Sequence, residues 1–307
     1  MARFVFGPVP SRRLGFSLGV DIIPQKVCTF DCIYCQIGKT TRKELTRESF
    51  FNPQEIINEV MDKLREIPYV DFITFSGSGE PTLNADIGLL IKELKHAAAK
   101  PIAVITNGSL LYLEEVRRDI ILADAILPSL DAASEDIYRY INRPHGMLKL
   151  HMIIDGIKKL RREYSGQIWL EIMLIKKVND DPDELKKFRE IIETLHVDKV
   201  QLNTVTRPPS EEIREVYSID ELEKICDFFG EKCEIISSFE KHVEGMVPDQ
   251  WPAMIREILE RRSLSLDDII KLTGTPFGDA RKKLARMEKD GELKSYHFGN
   301  DIFYMKK

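Results

Sequence analysis

Residues 26–38 read KVCTFDCIYCQIG and bring Cys28, Cys32 and Cys35 within one short loop of polar character. The chain has five cysteines in total. An odd number with three members in one cluster argues against a disulfide framework, and it predicts a reducing, cytoplasmic location. Three thiols in a polar loop indicate a ligand set, so the kind of group that they hold decides the interpretation of the whole chain.

Several kinds of site compete for this cluster. A structural zinc ion usually takes four Cys or His ligands, and the nearest histidine is the distant His96. A redox pair formed by Cys32 and Cys35 leaves Cys28 without a role. An iron–sulfur cubane takes thiolate ligands, and three cysteines anchor three of its four irons. The fourth iron is then open to a substrate or cofactor, which favours a chemical role over a structural one.

Short apolar runs alternate with longer amphipathic segments through most of the chain. Six strand–helix units in strict alternation predict parallel strands joined by right-handed crossovers, and hence an α/β fold with a partial (β/α)6 TIM-like barrel. Polar residues follow each apolar run, and the C-terminal ends of parallel barrel strands carry active sites. The predicted strands are residues 16–23, 70–76, 101–106, 124–131, 167–176 and 198–205, with a further short one at 233–239.

The sequence changes character near residue 245, where EGMVPDQWP is typical of a linker. Three predicted helices and a hairpin turning at Gly299–Asn300 follow, which is the layout of a small C-terminal winged helix-turn-helix domain. We therefore predict a barrel domain at residues 1–244 and a winged-helix domain at residues 245–307, with the linker at about 245–251.

The C-terminal segment 251–307 carries a net charge of +3, whereas the remainder of the chain carries −8. Its third predicted helix has two faces. The apolar residues at helical spacing, which we expect to face the core, are Phe277, Leu284 and Met287. A row on another face, which is able to contact phosphates although acidic residues interrupt it, comprises Lys282, Arg286 and Lys289.

The chain as a whole has a net charge of −5, which gives no reason to expect its entire surface to bind nucleic acid. It contains no run of eighteen apolar residues, so we expect no membrane span and no membrane partner. Two cysteines remain outside the cluster. Cys226 and Cys233 are predicted to be core thiols, because Cys226 lies on an amphipathic helix beside aromatic residues.

The spacing Cys-x3-Cys-x2-Cys, with Tyr34 just before the third cysteine, resembles the signature of the radical S-adenosylmethionine (radical SAM) enzymes. The segment FSGSGEPTL at 75–83 resembles the Gly-Gly-Glu segment of that superfamily. GPVPSRRLGFSLGVDIIP at 7–24 and YCQIGKTT at 34–41 are similar to the branch of iron–sulfur oxidoreductases related to the wyosine-synthesising tRNA enzymes. The resemblance covers roughly residues 10–240.

This resemblance implies a [4Fe-4S] cluster held by Cys28, Cys32 and Cys35, with S-adenosylmethionine chelating the open iron. One electron from a ferredoxin- or flavodoxin-type partner cleaves the cofactor, and the 5′-deoxyadenosyl radical abstracts a hydrogen from the substrate. The cofactors supply this chemistry, and the protein supplies binding and orientation.

The resemblance also implies S-adenosylmethionine contacts at the strand ends. Tyr34 is expected against the adenine, and the turn Gly77, Ser78, Gly79 and Glu80 is expected to meet the methionyl ammonium through its backbone. Ser78 departs from the simple pattern by separating the two glycines, so the glycine in contact is left open. The expected ribose and carboxylate contacts are Asn107, Ser129 and Asp131, and the expected adenine wall is Met173 and Asn203.

Structural roles remain open for two of these carboxylates. Glu80 precedes a proline and could serve only to shape the turn, and Asp131 could cap the helix that begins in DAASED. A further hypothesis assigns a substrate carboxylate or phosphate to basic residues near the predicted mouth of the barrel. These residues are Arg12, Arg13, Lys26, Arg143, Lys176 and Arg207.

The substrate is left with three hypotheses. No cysteine precedes Cys28, so the second cluster of the wyosine-forming enzymes is not expected. The winged helix indicates a macromolecular substrate, which favours a radical enzyme that modifies RNA or tRNA, or else one that modifies a peptide or protein. A DNA-binding redox regulator with an iron–sulfur cluster is the third hypothesis, but it does not explain the six βα units.

Overall fold

The structure of the protein is a computed structural model. It describes residues 3–67, 69–206, 209–211, 213, 215, 217–236, 251–298 and 301–307. Most of the predicted linker, the predicted hairpin turn and Arg207 lie outside the described residues. The boundaries of the two predicted domains therefore stay predictions.

One large mixed sheet forms the framework of residues 5–235. In their order across the sheet, its strands are β1 (Val5–Ser11), β2 (Gly15–Val20), β5 (Phe72–Phe75), β6 (Ile102–Thr106), β7 (Ala125–Pro128), β8 (Gln167–Leu174), β9 (Lys199–Thr204) and β10 (Cys233–Ile235). A small parallel pair consists of β3 (Val27–Cys28) and β4 (Arg42–Lys43). All neighbours in the large sheet from β2 to β10 are parallel. The predicted α/β fold is confirmed.

Helices connect these strands in the predicted alternation. They are α1 (Pro53–Glu66), α2 (Ile87–Ala98), α3 (Glu114–Ile120), α4 (Glu135–Asn142), α5 (Leu150–Glu163), α6 (Pro182–Leu195) and α7 (Ile219–Phe229). Helix α1 illustrates why these segments are helical. Asn52 is its N-cap and accepts the N–H of Gln54, and Pro53 occupies the first turn. Ile56 and Val60 lie on its buried face. No helix among the described residues is long and apolar enough to cross a membrane.

Strand β1 pairs antiparallel with β2 and forms one edge of the sheet, whereas β10 forms the other. The turn that follows β1 spans the gap between these edges, because Arg12 donates from Nη1 to the carbonyl of Ile236 just after β10, at 2.8 Å. Leu14 of the same turn is buried in a small apolar cluster with Ala103 of β6 and Leu127 of β7. The barrel is thus partial, and one guanidinium group bridges its open side.

The C-terminal segment contains α8 (Trp251–Leu259), β11 (Leu264–Ser265), α9 (Leu266–Thr273), α10 (Phe277–Lys289), β12 (Leu293–Phe298) and β13 (Asp301–Lys306). We call residues 251–307 the C-terminal module. Its antiparallel sheet has the order β11-β13-β12, which leaves β12 at an edge. The helices and the hairpin strands occur where the sequence predicts them, and the assignment to the winged-helix fold stays a prediction.

The module shares a hydrophobic core with the edge of the barrel. Trp251 and Ile255 of α8 are fully buried, and they belong to one cluster with Phe6 and Val9 of β1 and with Phe16 of β2. The expectation for α10 is correct for Leu284 and Met287, which are buried, but wrong for Phe277, which is 58% exposed. Phe277 is the first residue of the helix, and it lies outside the apolar stripe that packs on the module.

Candidate functional site

The three clustered cysteines lie in the loop that follows β2 and crosses the ends of the parallel strands. Each sulfur atom has a nitrogen donor from a different part of the chain. Lys26 Nζ lies 3.2 Å from Cys35 Sγ, and Asn142 Nδ2 lies 3.4 Å from Cys32 Sγ. Asn107 Nδ2, from the end of β6, lies 3.6 Å from Cys28 Sγ. Donors of this kind stabilise negative charge on sulfur and tune the potential of an iron–sulfur cluster.

The chemistry of these thiols fits a metal cluster. Burial, reinforced by the Glu80 carboxylate, raises the pKa of Cys28 to about 12, and burial raises the pKa of Cys32 well above its usual value. Such thiols become thiolates when a cation compensates the charge, which is the condition that metal coordination provides. Within the described residues, no group of three or more His, Cys, Asp or Glu side chains is arranged to hold a metal ion. Thiolates are the usual ligands of an iron–sulfur cluster, so the three cysteines fit a cluster by their chemistry.

The turn after β5 packs directly on the cysteine loop. Lys26 donates its backbone N–H to the carbonyl of Ser78 at 2.9 Å, and Glu80 donates its backbone N–H to the carbonyl of Val27 at 3.3 Å. A Cβ atom on Gly79 would lie 1.9 Å from the Val27 carbonyl oxygen, so this position requires glycine. Gly77 has a φ of +147°, and a Cβ there would lie 2.4 Å from the Asp21 carboxyl carbon. A side chain at either position would collide with a neighbouring group, so steric constraints alone account for both glycines.

Glu80 is 2% exposed and is fully engaged by protein donors. One carboxylate oxygen accepts from the backbone N–H and the hydroxyl of Thr82 and from the hydroxyl of Thr106. The other accepts from the backbone N–H of Asn107 at 2.8 Å. Glu80 thus shapes its own turn and also fixes the end of β6, which carries the Asn107 amide to Cys28.

Asp131 lies at the centre of a second group of contacts beyond the end of β7. Its carboxylate accepts from the hydroxyl of Tyr34, from Nδ2 of Asn142 at 2.7 Å and from the backbone N–H of Met173 at 3.1 Å. Burial raises the pKa of Asp131 to about 6. The cap of helix α4 is Ser134 rather than Asp131. Asp131 therefore holds Tyr34 and Asn142 in place, and its expected contact with the ribose or carboxylate of the cofactor stays a prediction.

The other expected cofactor contacts occupy different surroundings. Ser129 is half-buried just after β7, and its backbone forms an isolated parallel β-bridge with that of Glu171. The side chain of Met173 packs with Ile33 and Ile141 beneath Tyr34. Asn203 is 5% exposed and donates to Glu171 Oε1 at 2.8 Å, so other side chains already bind the amide expected in the adenine wall. The structure thus brings Tyr34, Asp131 and Met173 together and places Asn203 in a separate polar network.

This network extends to the basic residues expected at the mouth. Arg12 donates from Nη2 to Asn203 Oδ1 at 3.2 Å, and Arg13 pairs with Glu171. Elsewhere Arg143 pairs with Glu211, and Lys176 lies 2.6 Å from Glu221. The described members of this basic set therefore bind protein groups, and Lys26 binds a cysteine sulfur. The hypothesis that they bind a carboxylate or phosphate of the substrate stays a prediction.

The sequence analysis missed two residues that contact the cysteine loop and the glycine turn. Asn142 stands at the end of α4 within INRPHG, which carries no recognisable motif, and only the fold brings its amide to Cys32. Asp21 follows β2 within a segment that reads as plain strand. It accepts from the backbone N–H of Ser78 at 3.1 Å and from the Ser78 hydroxyl at 2.5 Å, and so it holds the glycine turn.

Comparisons with known proteins agree with this arrangement. The model of the radical SAM superfamily matches residues 22–189. The chain is 34% identical to UPF0026 protein MJ1312 of Methanocaldococcus jannaschii, over 98% of this chain and 95% of that protein. It is 41% identical, over 75% of its length, to a protein of Brachyspira hyodysenteriae named GTPase Obg, but it spans only 34% of that protein.

Two more distant similarities are informative. The chain is 27% identical to the probable dual-specificity RNA methyltransferase RlmN of Clostridium acetobutylicum, over 70% of this chain and 62% of that protein. The structure of TYW1 with a lysine-pyruvate adduct bound superposes with a TM-score of 0.55 and 21% identity, over 73% of this chain and 75% of that chain. At this identity the superposition shows the fold alone.

Enzymes of the radical SAM superfamily use a [4Fe-4S] cluster and S-adenosylmethionine, require an external reductant and act on a further substrate. The family model covers more than half of the chain, and the cysteine loop and glycine turn fall within it. The chain therefore belongs to the radical SAM superfamily, as a member of the UPF0026 group, and is an enzyme of the radical SAM class.

Proposed function

We propose that this enzyme cleaves S-adenosylmethionine reductively at a cluster held by Cys28, Cys32 and Cys35, and that the resulting 5′-deoxyadenosyl radical modifies RNA, with tRNA as the expected class. The cluster and the cofactor supply the radical chemistry. The protein binds the methionyl group at Gly77–Glu80 and holds the adenine beside Tyr34. The backbone carbonyls of this turn receive the methionyl ammonium in this proposal, and the glycine that makes the contact is left open.

The basic face of α10 carries the RNA proposal. Lys282 and Arg286 have side chains that are 83% and 85% exposed, and their nearest carboxylates lie 3.9 Å away. Lys289 is also exposed, and exposed Phe277 begins the same helix. Cations bind phosphates, and an exposed aromatic ring can stack on a base that is not paired. The similarity to a protein named as an RNA methyltransferase supports the same substrate class.

The position of the C-terminal module supports a substrate near the cluster. A cavity of about 380 Å³ lies between the cysteine loop and the hairpin of the module. Cys35 and Gln36 line it from the loop, and Lys294 and Tyr296 line it from β12. A substrate that enters between the module and the cysteine loop would thus come close to Cys35.

RNA binding tests this proposal without any assumption about the product. We expect the full chain to bind bulk tRNA in a salt-dependent manner, and we expect replacement of Lys282, Arg286 and Lys289 by Gln to lower the slope of log K against log salt by about 2. The matched control replaces three exposed cations of the barrel, Lys92, Lys159 and Arg162. Equal loss in both variants, or no loss in either, would contradict a role for α10.

A peptide substrate is the second candidate, and one observation favours it. Strand β12 is an edge strand of its sheet and lines the cavity beside Cys35, so an extended peptide could add to that edge. Formation of 5′-deoxyadenosine separates the two substrates. With a ferredoxin- or flavodoxin-type donor, an RNA fraction is expected to stimulate it, whereas stimulation by a peptide fraction alone would replace RNA by the peptide.

A further inference from the structure

We propose that Arg261 of the C-terminal module is a positioning residue for the S-adenosylmethionine site, acting through Asp21 on the turn at Gly77–Ser78. The inference rests on the proposed assignment of that turn to the methionyl group. It makes the module a part of the cofactor site as well as a means of holding substrate.

The contact between the two parts of the chain is a buried ion pair. Arg261 follows α8, and its side chain is 8% exposed; that of Asp21 is 6% exposed. The Nε atom of Arg261 lies 3.2 Å from Asp21 Oδ2, while Nη2 donates to the carbonyl of Arg3 at 2.6 Å. The guanidinium also lies 5.3 Å from the centre of the Phe6 ring. These contacts fix the arginine on three sides.

The same carboxylate determines the conformation of the glycine turn. Asp21 accepts both the backbone N–H and the hydroxyl of Ser78. It also fills the space into which any side chain at Gly77 would project. A carboxylate that rotated away would release two hydrogen bonds of the turn at once.

The glycine turn also contacts the cysteine loop. The Ser78 carbonyl accepts the backbone N–H of Lys26, whose Nζ lies 3.2 Å from Cys35 Sγ. A continuous series of contacts therefore leads from Arg261 through Asp21 and Ser78 to a cluster ligand. Each step is a charged or polar contact at a distance of 3.2 Å or less.

Arg261 is not alone in joining the module to the barrel. The apolar cluster of Trp251, Ile255, Phe6 and Phe16 already joins the module to the barrel. Burial of a charge without its partner is costly, and burial raises the pKa of Asp21 above its usual value even with Arg261 alongside. The charge on Arg261 therefore serves to keep Asp21 in the form and orientation that bind Ser78.

The test measures the affinity of the anaerobically reconstituted full chain for S-adenosylmethionine, by equilibrium binding and by the change that the cofactor causes in the EPR signal of the reduced cluster. We expect Arg261→Met to raise the Kd about tenfold, as expected for loss of a charged hydrogen-bond partner. Iron content is expected to match that of the parent. The control is Arg256→Met on the same module, because Arg256 pairs with Glu292 and does not touch the turn.

A double variant separates positioning from stability. The double variant Arg261→Met, Asp21→Asn removes both charges of the buried pair, and the Asn amide can still form hydrogen bonds with Ser78. The Kd for S-adenosylmethionine is therefore expected to return to within about threefold of the parent value. If Arg261→Met does not yield loaded protein, Arg261→Lys keeps the charge with fewer donors, and a rise of about threefold is expected. An unchanged Kd in the loaded Arg261 variants, with only a lower melting temperature, would overturn the inference.

A third variant distinguishes this failure from failure of the cofactor assignment. Gly77→Ala is expected to weaken S-adenosylmethionine binding, because its Cβ would collide with Asp21. If Gly77→Ala weakens binding and the Arg261 variants do not, the turn binds the cofactor but the module does not position it. If none of these variants changes the Kd, the assignment of the turn is wrong as well.

Discussion

Two sides of the barrel mouth use polar side chains at strand ends for different purposes. On the cysteine side, formed by the cysteine loop with β5 and β6, the amide of Asn107 and the ammonium of Lys26 point to cysteine sulfurs. On the far side, formed by β8 and β9, Glu171 and Asn203 bind Arg12 and Arg13 from the turn after β1. The polar groups of the cysteine side bind cysteine sulfurs, and those of the far side bind the turn that closes an incomplete barrel.

This difference teaches that a polar residue at the end of a parallel strand is not evidence of a ligand by itself. Asn107 directly follows β6, and Asn203 is the penultimate residue of β9, so both lie near the C-terminal ends of their strands. The partner decides the role, and for Asn203 the partner Arg12 comes from the opposite edge of the sheet. Substitutions on the cysteine side should therefore affect the cluster, whereas substitutions on the far side should affect the stability of the fold.

The largest effect is expected on the cysteine side. Cys32→Ala removes one of three proposed cluster ligands, so we expect loss of the cluster absorbance and EPR signals and of S-adenosylmethionine cleavage. Iron and sulfide analysis after anaerobic reconstitution measures the change. The control is Cys226→Ala, since Cys226 is buried on α7 near Cys233 and away from the loop. A normal cluster in Cys32→Ala would show that the ligand assignment is wrong.

The far side should lose stability instead. Glu171→Gln leaves Arg13 without its charged partner in a nearly buried pair, and we expect the free energy of unfolding to fall by about 3 kcal/mol. Denaturant unfolding measures this fall, and cluster content and cofactor Kd measured under folding conditions should change little. Glu215→Gln breaks the exposed pair with Lys177 and serves as control, with an expected loss under about 1 kcal/mol. A Glu171→Gln enzyme of normal stability that no longer binds the cofactor would place Glu171 in the site.

The sequence predicted the parallel framework because each buried strand is a short apolar run and each helix is amphipathic. It missed β1, whose segment VFGPVPS contains one glycine and two prolines. The two prolines and the glycine disfavour a strand when the segment is considered alone. Proline is tolerated in a strand at the edge of a sheet, and β1 lies at such an edge. The residues before β2 thus contributed to the resemblance without being recognised as structure.

The sequence indicates site residues where the motif is local and does not indicate them where they depend on distant partners. The three cysteines and the glycine turn are contiguous motifs, and the structure brings the two segments into contact, while their roles toward a cluster and a cofactor stay predictions. Asn142 reaches Cys32 across 110 residues, and Arg261 reaches Asp21 across 240. Neither contact has a sequence signature, because a single amide or guanidinium becomes functional only through the fold.

A smaller and purely electronic effect is expected from Lys26 on the cysteine side. Lys26→Met removes a positive charge 3.2 Å from Cys35 Sγ, so reduction of the cluster becomes less favourable and its midpoint potential falls. For two unit charges about 4 Å apart, effective dielectrics of about 80 and about 20 give about 1 and about 4 kcal/mol, and the loss is expected between these values. An EPR-monitored redox titration measures it.

The control for this change is Lys39→Met, because Lys39 lies beyond the last cysteine and is exposed. Its replacement removes the same charge from the same loop and is expected to move the potential much less, since solvent screens an exposed ammonium. An unchanged potential in Lys26→Met, or an equal shift in both variants, would mean that Lys26 does not tune the cluster.

The smallest change in stability is expected outside the barrel mouth, at Phe277 of α10. Its ring is 58% exposed, so Phe277→Ala should alter the free energy of unfolding by no more than about 0.5 kcal/mol. Leu284→Ala on the buried face of the same helix should cost about 3 kcal/mol, since it leaves a cavity in the module. Thermal or denaturant unfolding compares the two variants.

RNA affinity should reverse the order of these two residues. If Phe277 stacks on an unpaired base, Phe277→Ala weakens tRNA binding by about 1 kcal/mol or more, whereas Leu284→Ala affects binding only to the extent that the module unfolds. Filter binding at a temperature where both variants are folded measures the difference. A Phe277→Ala enzyme with unchanged stability and unchanged RNA affinity would remove the aromatic contribution and leave the basic row of α10 as the remaining support for an RNA substrate.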